Sequence, residues 1–235
     1  MPTQPRTRIA AFVSGGGSNF VAVHDYQRDR GESAAGAVVL LVSNKPTCAA
    51  LTRAADRGIA CVVLEQPRDG DALLALLIAH RIEVIVLAGY LALVPETVTR
   101  AYRGRIVNVH PALLPAFGGP GMYGRRVHAA VIESGARISG ATVHFVDEVY
   151  DRGAIIAQWP VPVFEEDSAE SLAARVLRVE HALLPRVVEL ICAESLALDD
   201  DGSVHGAFLT GSHADVFSLL DGSSLARDLD HALSK

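Results

Sequence analysis

Cysteine is scarce in this 235-residue chain: Cys48, Cys61 and Cys192 stand far apart, with no C-x-x-C spacing. Neither a disulfide framework nor a thiolate metal site is suggested, and all three are expected in the core. Long hydrophobic runs are also missing. Stretches such as Ile82 to Ala88 fall far short of the roughly 20 residues a membrane-spanning helix requires, so no membrane partner is expected. Positive charge is not in excess: 21 Lys and Arg against 27 Asp and Glu leave a net charge of −6, which argues against a broad nucleic-acid footprint. Arg125-Arg126 is the one visible basic pair. The opening segment, Met1 to Arg8, is polar with two prolines and lacks the ordered regions of a secretory signal, so a cytoplasmic location is expected. No repeat and no linker divides the chain. One domain is expected, with a core of about residues 8 to 195 and a C-terminal hairpin and tail over 196–235, including one terminal helix.

What the chain has is apolar content, 50% of residues, which suits a buried core for this length. Apolar strands recur at Ile9 to Val13, Ala37 to Val42, Ile59 to Leu64 and Val84 to Leu87, with helical stretches between them. Strands that are apolar throughout and alternate with helices predict a mostly parallel, Rossmann-like α/β sheet with helices on both faces. Asp167, three residues before Glu170, predicts a capping box opening a long helix that carries Leu172, Val176, Val179, Leu183 and Leu184 on one side. Glu180 and His181 interrupt that stripe.

Three stretches carry chemistry. After the first strand comes Ser14-Gly15-Gly16-Gly17-Ser18-Asn19, then a helical stripe from Phe20. Strand, glycine-rich turn and helix form a phosphate cradle, because glycines admit the anion and the free N–H groups of the first helical turn meet it. No Lys-Ser/Thr pair follows, and Phe20 stands where a dinucleotide fingerprint needs glycine, so a phosphate monoester is favoured. The second stretch is Asn108-Val109-His110-Pro111. In a strand Asn108 and His110 share a face, and Pro111 cannot donate to a ladder, so it leaves His110 at the sheet rim. A histidine merely satisfied at a strand end would give the same pattern. The third is the acidic turn with Asp147, Glu148 and Asp151, any of which could raise the pKa of a nearby imidazole or lie solvated. Between them, Pro115 to Gly124 is too rich in Gly and Pro for regular structure and predicts a loop over the active edge.

Together with Ser43-Asn44-Lys45, Leu87-Ala88-Gly89-Tyr90, Val143 to Glu148 and Arg175…Glu180-His181, these stretches closely resemble the phosphoribosylglycinamide formyltransferase family over about residues 8 to 195. The resemblance implies direct attack of the amine of 5-phosphoribosylglycinamide on the formyl carbon of 10-formyltetrahydrofolate, with no metal and no covalent intermediate. It implies that Asn108 binds the formyl oxygen, that protonated His110 stabilises the oxyanion, and that Asp151 sustains that charge. It further implies that Gly17, Ser18, Asn19, Pro111 and Glu180 bind the ribonucleotide. Arg68, Leu91, Ala92, Leu93, Val94, Asp147, Glu148, Val149 and Tyr150 are implied on the folate side, although Leu91-Ala92 stands where members often carry Met-Arg. Partners implied are small molecules only, for a monomer or homodimer. A formyltetrahydrofolate hydrolase shares the Asn-His-Asp core but usually carries an N-terminal regulatory domain, for which no room is expected before Arg8. A methionyl-tRNA formyltransferase normally has a further C-terminal domain, for which the residues after Leu198 are expected to be too few.

Overall fold

A computed structural model describes residues 5–206, so the expected terminal helix lies outside the described residues. The order is β1 (Thr7–Val13), α1 (Ser18–Arg30), β2 (Gly36–Ser43), α2 (Ala49–Ala55), β3 (Ala60–Val63), α3 (Gly70–Ala79), β4 (Val84–Leu87), α4 (Glu96–Ala101) and β5 (Ile106–His110). There follow α5 (Arg125–Glu133), β6 (Ile138–Phe145), β7 (Ile155–Pro162), α6 (Ala169–Cys192) and a hairpin of β8 (Leu196–Leu198) and β9 (Val204–Gly206). Seven strands make one sheet in the order β3-β2-β1-β4-β5-β6-β7. The first five are parallel, and β6 and β7 return antiparallel. This is the mostly parallel, Rossmann-like α/β sheet that the sequence pattern predicts.

Alternate residues of β1 serve opposite faces. Ile9, Ala11 and Val13 join one core cluster with Val179, Leu183 and Val187 of α6, whereas Ala10 and Phe12 join another with Leu73 and Leu77 of α3 and Val98 of α4. Burial on both faces is why these strands carry no polar alternation. The sheet edge differs: β3 pairs only with β2, and Cys61 on it is exposed, whereas Cys48 and Cys192 are buried as expected. The cap of α6 also differs from expectation. Ser168 and Ser171 form the capping box, one residue after the predicted start, and Asp167 instead grips the Arg175 guanidinium at 2.6 and 2.8 Å. That bidentate contact holds the Asp167 carboxyl well below the usual range.

Strand order reverses between β1 and β4, and an open α/β sheet has its crevice at the carboxyl ends of strands at such a switch point. The glycine-rich turn follows β1, the segment from Gly89 to Val94 follows β4, and Pro111 ends β5. Three loops therefore converge on one rim.

Candidate active site

Strand register places the central side chains. Asn108 lies opposite His144 across the antiparallel β5–β6 pair, and the Asn108 amide donates to His144 Nε2 at 3.1 Å. His144 Nδ1–H donates to the Phe145 carbonyl at 2.7 Å, so in the neutral ring Nε2 keeps the lone pair that accepts from Asn108. Two residues along the same strand face, His110 Nε2–H donates to the Phe117 carbonyl at 2.8 Å. Its Nδ1 lies 3.5 Å from Asp151 Oδ2. Asp151 Oδ2 also accepts from the Gly119 amide at 2.9 Å, and Asp151 Oδ1 lies 3.6 Å from His144 Nε2. The carboxylate thus reaches both imidazoles. Asp151 holds a φ of 55°, an uncommon conformation for a residue with a side chain, and such backbone outliers gather at functional sites. Nearby, Gly153 packs so closely under the Phe145 carbonyl that a Cβ would overlap it.

Burial pushes the His110 pKa below the ordinary imidazole value, and Asp151 and the Phe117 carbonyl oppose it without reversing it. Asp151 raises this pKa, as a turn acid was expected to, but with His110 only 3% exposed the cost of removing the charged ring from water is the larger effect and sets the net direction. For Asp151, burial raises the carboxyl, but His144, the Gly119 amide and His110 together hold it below the usual range. A proton arriving at His110 Nδ1 would therefore face an ionised carboxylate.

These groups stand in a cavity of about 570 Å³. At one end, Asn19 of α1 donates to Glu180 Oε2 of α6 at 2.6 Å; both side chains are buried. Burial raises the Glu180 pKa to about 7, with the Asn19 amide opposing. Gly17, the N-cap of α1, has a φ of 72°, and a Cβ there would come within 2.6 Å of the Ala50 Cβ, so the turn lies against α2 in a way only glycine permits. The loop from Leu91 to Val94, with Val149 and Tyr150, also lines the cavity. Ser14 braces that loop: its Oγ donates to Asn44 Oδ1 at 2.7 Å and accepts from the Leu91 amide at 2.8 Å.

Of the residues predicted from sequence, Asn19, Leu91, Ala92, Leu93, Val94, Asn108, His110, Pro111, Asp147, Val149, Tyr150, Asp151 and Glu180 line this one cavity. Gly17 and Ser18 are adjacent to Asn19 in the chain but do not contribute to the lining. Glu148 points elsewhere, 3.9 Å from the Arg100 guanidinium, and Arg68 lies in a separate hollow with Gln66, Pro67 and Asp69. Sequence reasoning passed over His144, His128 and the α6 residues Ala173, Ala174 and Leu177, which also line the cavity. His144 sits in a quoted motif, but only strand register reveals that it faces Asn108.

The chain belongs to the formyl transferase family, whose pattern it matches over residues 7–188. Within that family it is similar to phosphoribosylglycinamide formyltransferases. The chloroplastic one of Vigna unguiculata is 47% identical over 206 residues, covering 85% of this chain and 65% of that protein. The one of Bacillus subtilis is 36% identical over 189 residues, covering 77% of this chain and 93% of that protein. The crystal structure of the enzyme from Anaplasma phagocytophilum superposes with a TM-score of 0.77 at 33% identity, covering 89% of this chain and 97% of that one. The chain therefore spans about two thirds of the Vigna relative and nearly all of the bacterial ones. Among the described residues no helix is long and apolar enough to cross a membrane.

Proposed function

We propose that the protein transfers the formyl group of 10-formyltetrahydrofolate to the amine of 5-phosphoribosylglycinamide, a step of de novo purine biosynthesis. The observation that carries this reading is that one cavity is lined by Asn108, His110 and Asp151 together with the Asn19–Glu180 pair and the loop from Leu91 to Val94. The ribonucleotide occupies the first end, with its phosphate at Gly17, Ser18 and Asn19 and further contacts at Pro111 and Glu180. The folate occupies the second, along Leu91 to Val94, Asp147, Val149 and Tyr150, with Arg68 and Glu148 outside the cavity that holds its ring.

The amine nitrogen attacks the formyl carbon, and the carbonyl oxygen becomes an oxyanion. Asn108, held by His144 through one amide hydrogen, offers the other to that oxygen. Protonated His110 adds positive charge beside it, and such preorganised donors supply a few kcal/mol each. Collapse breaks the bond to the folate nitrogen, and the proton lost by the amine passes to that nitrogen by way of Asp151 and water. Burial favours neutral His110 in the free protein even with Asp151 3.5 Å away, so on this reading the ring takes its proton as negative charge develops on the formyl oxygen beside it. We further infer one formyltransferase unit over about residues 8 to 195, a cytoplasmic location, small-molecule partners only, and a monomer or homodimer.

The test is consumption of 10-formyltetrahydrofolate measured with and without the ribonucleotide. Turnover is expected only when the amine acceptor is present. Formate release at the same rate without it would make the protein a hydrolase instead.

A further inference from the structure

Among the described residues three imidazoles line the cavity, and the chemistry above employs His110 and His144 but not His128. His128 lies on α5, which packs against α6, and its side chain is 4% exposed. Nδ1 is fully enclosed with no hydrogen-bond partner; Nε2 has none among the described residues either but is not fully enclosed, so it is the ring atom that a molecule in the cavity can reach. A buried polar ring wholly without partners is rare in folded proteins, and where it borders a cavity the missing partner is a ligand or an ordered water. Burial pushes the His128 pKa down to about 4, with His110 acting in the same direction, so the ring is uncharged at neutral pH. With Nδ1 enclosed, an uncharged imidazole meets the ligand through Nε2 alone, as a donor in one tautomer and an acceptor in the other, which suits a neutral hydroxyl or amide that can play either part.

We propose that His128 is a binding residue for the acceptor substrate, hydrogen-bonding a neutral hydroxyl or amide of the ribonucleotide where α5 faces α6. The site's layout selects that substrate over the folate. α6 supplies Ala173, Ala174, Leu177 and Glu180 to the lining, whereas the loops assigned to the folate leave β4 and β6. The assignment rests on the formyl-transfer reading above and deepens it.

Steady-state kinetics of His128→Ala, His128→Gln and His128→Phe test it. In the Ala variant the KM for the ribonucleotide is expected to rise about tenfold, which is 1.4 kcal/mol, while the KM for 10-formyltetrahydrofolate stays within twofold. Gln keeps a donor and an acceptor and is expected to recover most of the loss. Phe fills the volume without polar atoms, so it is expected to show the full loss and serves if the Ala variant does not fold. A lowered melting temperature with the ribonucleotide KM unchanged, or equal rises in both KM values, would overturn the inference. A wild-type protein that does not formylate the ribonucleotide would instead overturn the functional reading itself, and the role of His128 would fall with it.

Discussion

Where α1 meets α6, Asn19 and Glu180 are buried and joined by a 2.6 Å hydrogen bond between two helices. Elsewhere in the lining of the same cavity Leu91, Leu93, Val149 and Tyr150 stand 42, 44, 57 and 40% exposed on two loops. On the reading proposed above, the first recognises its ligand by buried polar groups, Asn19 Oδ1 among them still without a partner; a ligand that fails to match them leaves a buried group unpaired, and that is costly. On the same reading the second recognises by apolar area, which tolerates variation in the group it covers. On that reading the contrast teaches how one sheet edge can serve a small polar acceptor and a flat ring system at once: helices carry the exacting contacts, and loops, one of them braced by Ser14 at Leu91, carry the forgiving ones.

The largest effect is expected at the centre, which belongs to neither end. His110→Ala should lower kcat about 10²- to 10³-fold, as loss of an oxyanion-stabilising group does. Both KM values should stay within about twofold; a change confined to one of them would make His110 part of that end.

Glu180 gives a smaller effect and a pH signature. Its folded pKa, about 7, is raised above the ordinary 4.5 because burial disfavours the charge. Between those values the unfolded chain ionises while the folded protein holds its proton, so this group makes stability fall as pH rises through that window and level off above it. Urea unfolding of the wild type should thus show a loss, on the order of 3 kcal/mol, that Glu180→Gln lacks. A variant that loses stability by the same amount at every pH would mean the carboxyl is already ionised in the fold. At the exposed end, Leu93→Ser should change stability by less than about 0.5 kcal/mol.

Much of the centre was legible because a strand has period two. Asn108 and His110 had to share a face, and Pro111 had to end the strand. Of the three acids in the following turn, sequence alone could not choose Asp151. The choice depends on its φ of 55° and on the Gly119 amide 32 residues earlier in the chain. The Asn19–Glu180 bond spans 161 residues and follows from how α1 packs on α6, which no local pattern encodes. His144 was hidden for a related reason, since pairing register decides which residue faces Asn108. The raising effect of Asp151 on His110 was legible as a turn acid beside an imidazole, but the net direction was not, because the composition of a turn gives no measure of how deeply the ring is buried.

The division of the cavity into two independent ends is tested most directly by measuring both KM values in Glu180→Gln and in Leu93→Ser. The account predicts that the first variant raises only the KM for 5-phosphoribosylglycinamide and the second only that for 10-formyltetrahydrofolate. Parallel rises of both constants in either variant would contradict it.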